Sequence, residues 1–105
     1  MDINNVSDPN IVLRLARKYY NKDVYLSTRK NKKYMIETDE GKFIHFGDIR
    51  YEDFTYHKDI DRQKKYLSRA SNIKGDWVND VFSPNMLSII LLWDGMNYLL
   101  QHGII

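Results

Sequence analysis

The stretch KYMIETDEGKFIHFGDIRYEDFTYHKDIDRQKKYLSRASNIKGDW, Lys33 to Trp77, decides the fold. Within it a strand pattern, a turn, an aromatic loop and a basic helix follow one another without a gap. Tyr34, Ile36 and Thr38 fall on one side of a period-two segment, with Met35 and Glu37 on the other. Asp39-Glu40-Gly41-Lys42 separates this segment from Phe43 to Phe46, and a short Gly-bearing connection between two such segments predicts a hairpin. In the second segment Ile44 and Phe46 take one side and Phe43 and His45 the other, which suits a strand covered on both faces. Gly47 ends it. Tyr51, Phe54 and Tyr56 are expected to pin the next loop to the sheet. Asp59 predicts an N-cap; Ile60, Tyr66, Leu67, Ala70 and Ile73 give a narrow apolar stripe, and Gly75 supplies a stop.

Upstream, Asn21-Lys22-Asp23 is a break and Val24 to Thr28 is rich in strand formers. Arg29 to Lys32 is a polar turn, so three strands form an antiparallel meander that needs an apolar cover. Ser7-Asp8-Pro9 reads as a helix start, and Ile11, Leu15 and Tyr19, with Val12, Ala16 and Tyr20 beside them, give that helix a covering face. Residues 1–6 are expected to be mobile. Downstream, Trp77 anchors a loop and Ser83-Pro84 starts a second capped helix. Met86, Leu87 and Ile89 to Trp93 are apolar almost all round, so this helix must be covered on several sides by its own domain or by a partner. Asp94-Gly95 interrupts it, and Met96 to Gln101 add a turn or two. The expected architecture is α+β: a small three-stranded antiparallel meander packed with an N-terminal helix and two or three C-terminal helices. The domain spans 7–93, and 94–105 is an apolar C-terminal tail.

The chain has 105 residues, the length of one domain, and its 13% aromatic share argues against disorder. Its eight tyrosines suit either a shallow core or a protein-facing surface. Without cysteine, disulfides, thiol nucleophiles and Cys-based zinc sites are excluded, which permits a reducing compartment. MDINNVSDPN lacks the basic start and apolar core of a signal peptide, and Met86 to Trp93 is far shorter than the roughly 20 residues of a membrane helix. No membrane span is expected. The net charge of +2 hides an uneven layout. Basic residues gather before Lys33 and again from Lys58 to Lys74, acids gather between, and no Lys or Arg follows Lys74.

His57-Lys58-Asp59 places the three residue types of a phosphodiesterase motif side by side, which forfeits the spacing that would aim them at one phosphate. His45, His57 and Asp59 suit a metal by type, yet nothing in the sequence sets their separation. Lone histidines are more often ordinary polar residues, so no metal and no cofactor is assigned. Phosphate loops, serine-nucleophile and zinc-protease motifs are absent, and the chain is read as not an enzyme. Arg17-Lys18-Tyr19-Tyr20 and Lys64-Lys65-Tyr66 combine charge with aromatic rings, the pattern of phosphate contact with base stacking. Solvated helix faces or contacts to an acidic protein would use the same residues.

At Lys33-Tyr34-Met35, Gly41-Lys42, His45-Phe46-Gly47, Tyr51-Glu52-Asp53-Phe54-Thr55, His57-Lys58-Asp59, Gly75-Asp76-Trp77, Ser83-Pro84-Asn85 and Leu91-Leu92-Trp93, the chain resembles a family of small uncharacterised proteins of nucleocytoplasmic large DNA viruses, the giant, algal and iridovirus-like viruses. The resemblance runs over about residues 22 to 93 and carries no catalytic residue with it. It implies a virion-associated structural or assembly protein, a minor or internal capsid component made in the host cytoplasm at the viral factory. Its partners would be other virion proteins or a second copy, contacted through Met86, Ile90, Trp93, Tyr98 and Leu99. The alternative is a small nucleic-acid-binding module that uses Arg17, Lys18, Lys64, Lys65 and Arg69.

Overall fold

The computed structural model describes residues 2–105; Met1 lies outside the described residues. Three antiparallel strands, β1 (Tyr25–Leu26), β2 (Lys32–Glu37) and β3 (Phe43–Asp48), form one sheet in the order β1-β2-β3. The fold is α+β, as the sequence pattern predicts. The register sets Leu26 opposite Tyr34, and Tyr34 opposite Phe46, so the apolar residues of one parity line one face. Gly41, at φ +82°, supplies the left-handed residue that closes the hairpin, and Thr38 donates its N–H across it to the Lys42 carbonyl at 2.7 Å.

The first helix is not the main cover of that face: the segment Pro84–Leu92 lies against β3, and α1 (Pro9–Tyr20) packs chiefly on Ser88–Leu92, with Val12, Leu15 and Ala16 buried in the shared core. Asp8, not Ser7, caps it, its carboxylate accepting from Asn10 N at 3.0 Å and Ile11 N at 3.4 Å. The first residues depart from the expected mobile terminus. Ile3–Asn5 form a single 3₁₀ turn capped by Asp2, Val6 is buried, and the Val6 carbonyl accepts the Asp53 N–H at 3.0 Å.

After the sheet, the short helix α2 (Phe54–His57) occupies what reads as an aromatic loop, and α3 (Ile60–Ala70) begins at its Asp59 cap. Helix α3 stops before Ile73 and Gly75, because the Asn72 side chain takes the Ser68 carbonyl at 2.7 Å and Trp77 Nε1 takes that of Ile73 at 2.8 Å. Helix α4 (Pro84–Leu87) opens on the Ser83 cap and runs into a π turn over Ser88–Leu92, where Trp93 donates its N–H to the Ser88 carbonyl at 3.1 Å. Helix α5 (Met96–Gln101) follows.

The apolar segment does not wait for a partner. Met86, Leu87, Ile89, Ile90, Leu91, Leu92 and Trp93 are all at most 8% exposed. They are enclosed by α1, by Tyr34, Ile36 and Phe46 of the sheet, and by Leu67 and Ala70 of α3. Burial of side chains of this size contributes about 1.5–3 kcal/mol each, which is why the domain retains them. The C-terminal residues are likewise part of the body and not a separate tail. Leu99 is fully buried, and α5 ends in a Schellman cap, with Ile104 N–H on the Leu99 carbonyl at 2.9 Å and Gly103 left-handed at φ +64°.

Candidate functional site

Beside the end of the sheet where β2 begins and β3 finishes lies a buried polar network. Lys33 Nζ donates to Asp53 Oδ2 at 3.1 Å, with the two side chains only 3% and 1% exposed. Asp53 Oδ1 accepts the Thr55 N–H at 3.0 Å and also the Thr55 hydroxyl. Thr55 Oγ1 in turn accepts the Asp8 N–H at 2.9 Å and lies 3.2 Å from Ser7 Oγ, which accepts from the Tyr34 hydroxyl at 2.7 Å. Because Thr55 spends its proton on Asp53, Ser7 must donate to Thr55, and every hydroxyl proton in the chain points towards the one carboxylate. Burial pulls the Lys33 ammonium below the ordinary lysine range, and Asp53 pulls it back. Burial also pushes the Tyr34 phenol up.

This network fixes the segment after β3 against the sheet, where the sequence suggested aromatic pins instead. Tyr51 is 66% and Tyr56 44% exposed, and only Phe54 packs on the core. The segment thereby becomes one side of a cleft of about 630 Å³. Lys32, Lys33, Gly47, Asp48, Tyr51 and Glu52 line that side, while Arg62, Lys65, Tyr66 and Arg69 of α3 face in from another. Leu92 and Trp93 of the π turn contribute the apolar part. Gly47 is required here. A Cβ on it would sit 2.8 Å from Leu92 Cδ1 and 3.1 Å from Lys33 Cβ, and its φ is +80°.

The charges around the cleft do not cancel. Glu52 is taken by Arg62 Nη1 at 3.0 Å, and Asp48 by Arg50 Nη2 at 2.7 Å. Hydrogen bonds from Arg50 hold the Asp48 carboxyl down to about 2, so it stays ionised and paired. Asp53 is spent on Lys33. Lys32, Lys65 and Arg69 have no salt-bridge partner among the described residues. Arg69 is steadied by its position 5.6 Å over the Tyr66 ring, which is itself stacked on Trp93 at 4.0 Å and 8°. His57 packs 5.2 Å from Trp93, and its Nδ1 accepts the Asp59 N–H at 3.0 Å. The proton of the neutral ring therefore sits on Nε2, which is buried without a hydrogen-bond partner. Burial first, and then Arg62, lower its pKa.

The residues singled out from the sequence are scattered by this arrangement. Met86, Ile90, Trp93 and Leu99 are at most 8% exposed and pack into the domain's own core, Trp93 reaching the surface only as part of the cleft lining, so they offer a partner little area. Tyr98 is half-buried and stacks on His102 at 3.9 Å. Of the basic set, Lys65 and Arg69 line the cleft. Lys64 is exposed outside its lining, Arg17 is paired with Asp23 at 2.8 Å, and Lys18 sits 5.1 Å from the Tyr19 ring. His45 takes Ser27 at 2.7 Å through Nδ1, and no group of three or more His, Asp and Glu suited to a metal occurs among the described residues. Lys32 and Arg62 count in the sequence only as members of charge clusters, and the Lys33–Asp53 network leaves no local signal at all.

No helix among the described residues is long and apolar enough to cross a membrane. No curated protein and no solved structure matches the chain. Over residues 22–70 the chain is similar to a family of unknown function, DUF5754, and that span carries the whole sheet, Asp53, Thr55 and the basic residues of α3.

Proposed function

We propose that the protein is a binding module, not an enzyme, and that it holds a phosphate-bearing polymer, a nucleic acid, in the cleft between the sheet end and α3. One observation carries this reading: Lys32, Lys65 and Arg69 line one concave surface and make no salt bridge among the described residues, while Asp48, Glu52 and Asp53 are each salt-bridged to another cation. Cations so placed gain most from phosphate, because each contact releases condensed counter-ions from the polymer. Arg17, Lys18 and Lys64 lie outside the lining and drop out of the interface. In fluorescence anisotropy with labelled oligonucleotides at low salt, Lys65→Gln with Arg69→Gln is expected to weaken binding by about tenfold or more. Arg17→Gln with Lys18→Gln is expected to leave it unchanged; equal losses from both pairs contradict the reading.

A second reading, contact with another virion protein or a second copy in the setting the viral resemblance implies, draws support from a different surface. Tyr25 and Phe43, on the same face of the sheet, are 49% and 43% exposed, and their rings approach to 6.3 Å across the middle strand. Grouped apolar exposure of this kind suits a protein contact. If Tyr25→Ser with Phe43→Ser leaves particle incorporation and self-association unaltered, this second reading falls.

A further inference from the structure

We infer that the nucleic acid held in the cleft is single-stranded, with a base laid against the Tyr51 ring; this rests on the function proposed above and adds the ligand's form. The first argument is shape. A duplex carries its phosphates on a convex rod, and proteins that read it send a projecting helix or ribbon into a groove. Here the basic helix α3 is one side of a depression. It is tied down by Leu67 and Ala70 in the core and by the stack of Tyr66 on Trp93, so it has no freedom to project.

The second argument is the placement of Tyr51, the exposed ring among those that line the cleft. Tyr51 lines the cleft yet is 66% exposed, and the segment that carries it is already fixed by Asp53 and Thr55 without help from the ring. An aromatic side chain released from packing beside unpaired cations is the combination that single strands use, with cations along the backbone and a ring beneath an unpaired base. Arg50, held by Asp48, lies over one face of the Tyr51 ring at 5.9 Å, so a base would stack on the other face. Every base offers a π face, so the stack accepts any of the four, and little sequence preference is expected.

The test uses the full chain at low salt with three probes: a labelled oligothymidine, a mixed-sequence duplex of the same length, and inorganic polyphosphate. The expected result is clear preference for the single strand, a loss of about tenfold on that strand for Tyr51→Ala, retention by Tyr51→Phe, and no effect of either change on polyphosphate. Equal binding of single strand and polyphosphate, with Tyr51→Ala neutral, overturns the inference and leaves the phosphate-binding function standing. Duplex binding as tight as that of the single strand does the same. If none of the three probes binds, both fall together.

Discussion

At the scale of single residues, the decisive pair is Lys33 with Asp53, because it places the wall of the cleft. Leaving one member of a buried ion pair alone costs about 3–5 kcal/mol, whereas replacing both with apolar residues of similar volume is often near neutral. Lys33→Met and Asp53→Leu are each expected to lower the unfolding free energy by that amount in urea titrations, and the double variant to lose clearly less than their sum, the remaining loss coming from the buried Thr55 N–H and hydroxyl that no longer meet a carboxylate. Additive losses in the double variant would mean that the pair is not the strut it is taken for. The partners are twenty positions apart, and each reads in the sequence as one more member of a charge cluster. Only the return of the chain after β3, with Asp53 N–H on the Val6 carbonyl, brings them together, and no periodicity encodes that return. Tyr51 misleads for the same reason: an aromatic in a short loop suggests an anchor until hydrogen bonds are seen to do the anchoring.

At the scale of elements, the local signals were strong. The hairpin around Gly41, the proline-led starts of α1 and α4 and the Asp59 cap of α3 each follow from residue chemistry that acts within a few positions. The end of α3 and the π turn follow instead from distant contacts. Gly95 shows why: a Cβ there would lie 2.6 Å from Leu67 Cδ2 and 2.8 Å from the Ile89 carbonyl oxygen, so α3 and the π turn close on a residue that must be small. Gly95→Ala is expected to destabilise by about 1–3 kcal/mol through overpacking, and Leu91→Ala by about 2–5 kcal/mol through the cavity it leaves. Denaturation midpoints of the two variants check both figures. A loss below about 1 kcal/mol for Leu91→Ala would contradict the sealed packing of that helix.

At the scale of the whole molecule, a small body buries more than its length suggested. The radius of gyration of 12.8 Å is that of a fully collapsed chain of this size, and α1, the sheet and α3 together enclose the apolar helix that seemed to call for a partner. Hydrophobic pattern gives the amount of apolar surface to be covered; it does not say whether the cover belongs to the same chain. Global electrostatics gives a further expectation. Burial first, with Arg29 and Lys32 at His45 and Arg62 at His57, lowers both histidine pKa values below the ordinary 6.5. Just below that value the unfolded chain binds more protons than the folded one, so stability falls as pH drops from about 6.5. The melting temperature is expected to decline between about pH 7 and about pH 5, less so in His57→Gln, and a flat profile would contradict the assignment.

The most direct measurement concerns the unpaired cations of the cleft. For a single-stranded oligonucleotide, the logarithm of affinity plotted against the logarithm of salt concentration should have a slope of about −2 if Lys32, Lys65 and Arg69 each meet a phosphate. In the variant Lys32→Gln, Lys65→Gln, Arg69→Gln the slope should fall to near zero. A slope left unchanged by the triple substitution would place the phosphates elsewhere and contradict the cleft as the binding site.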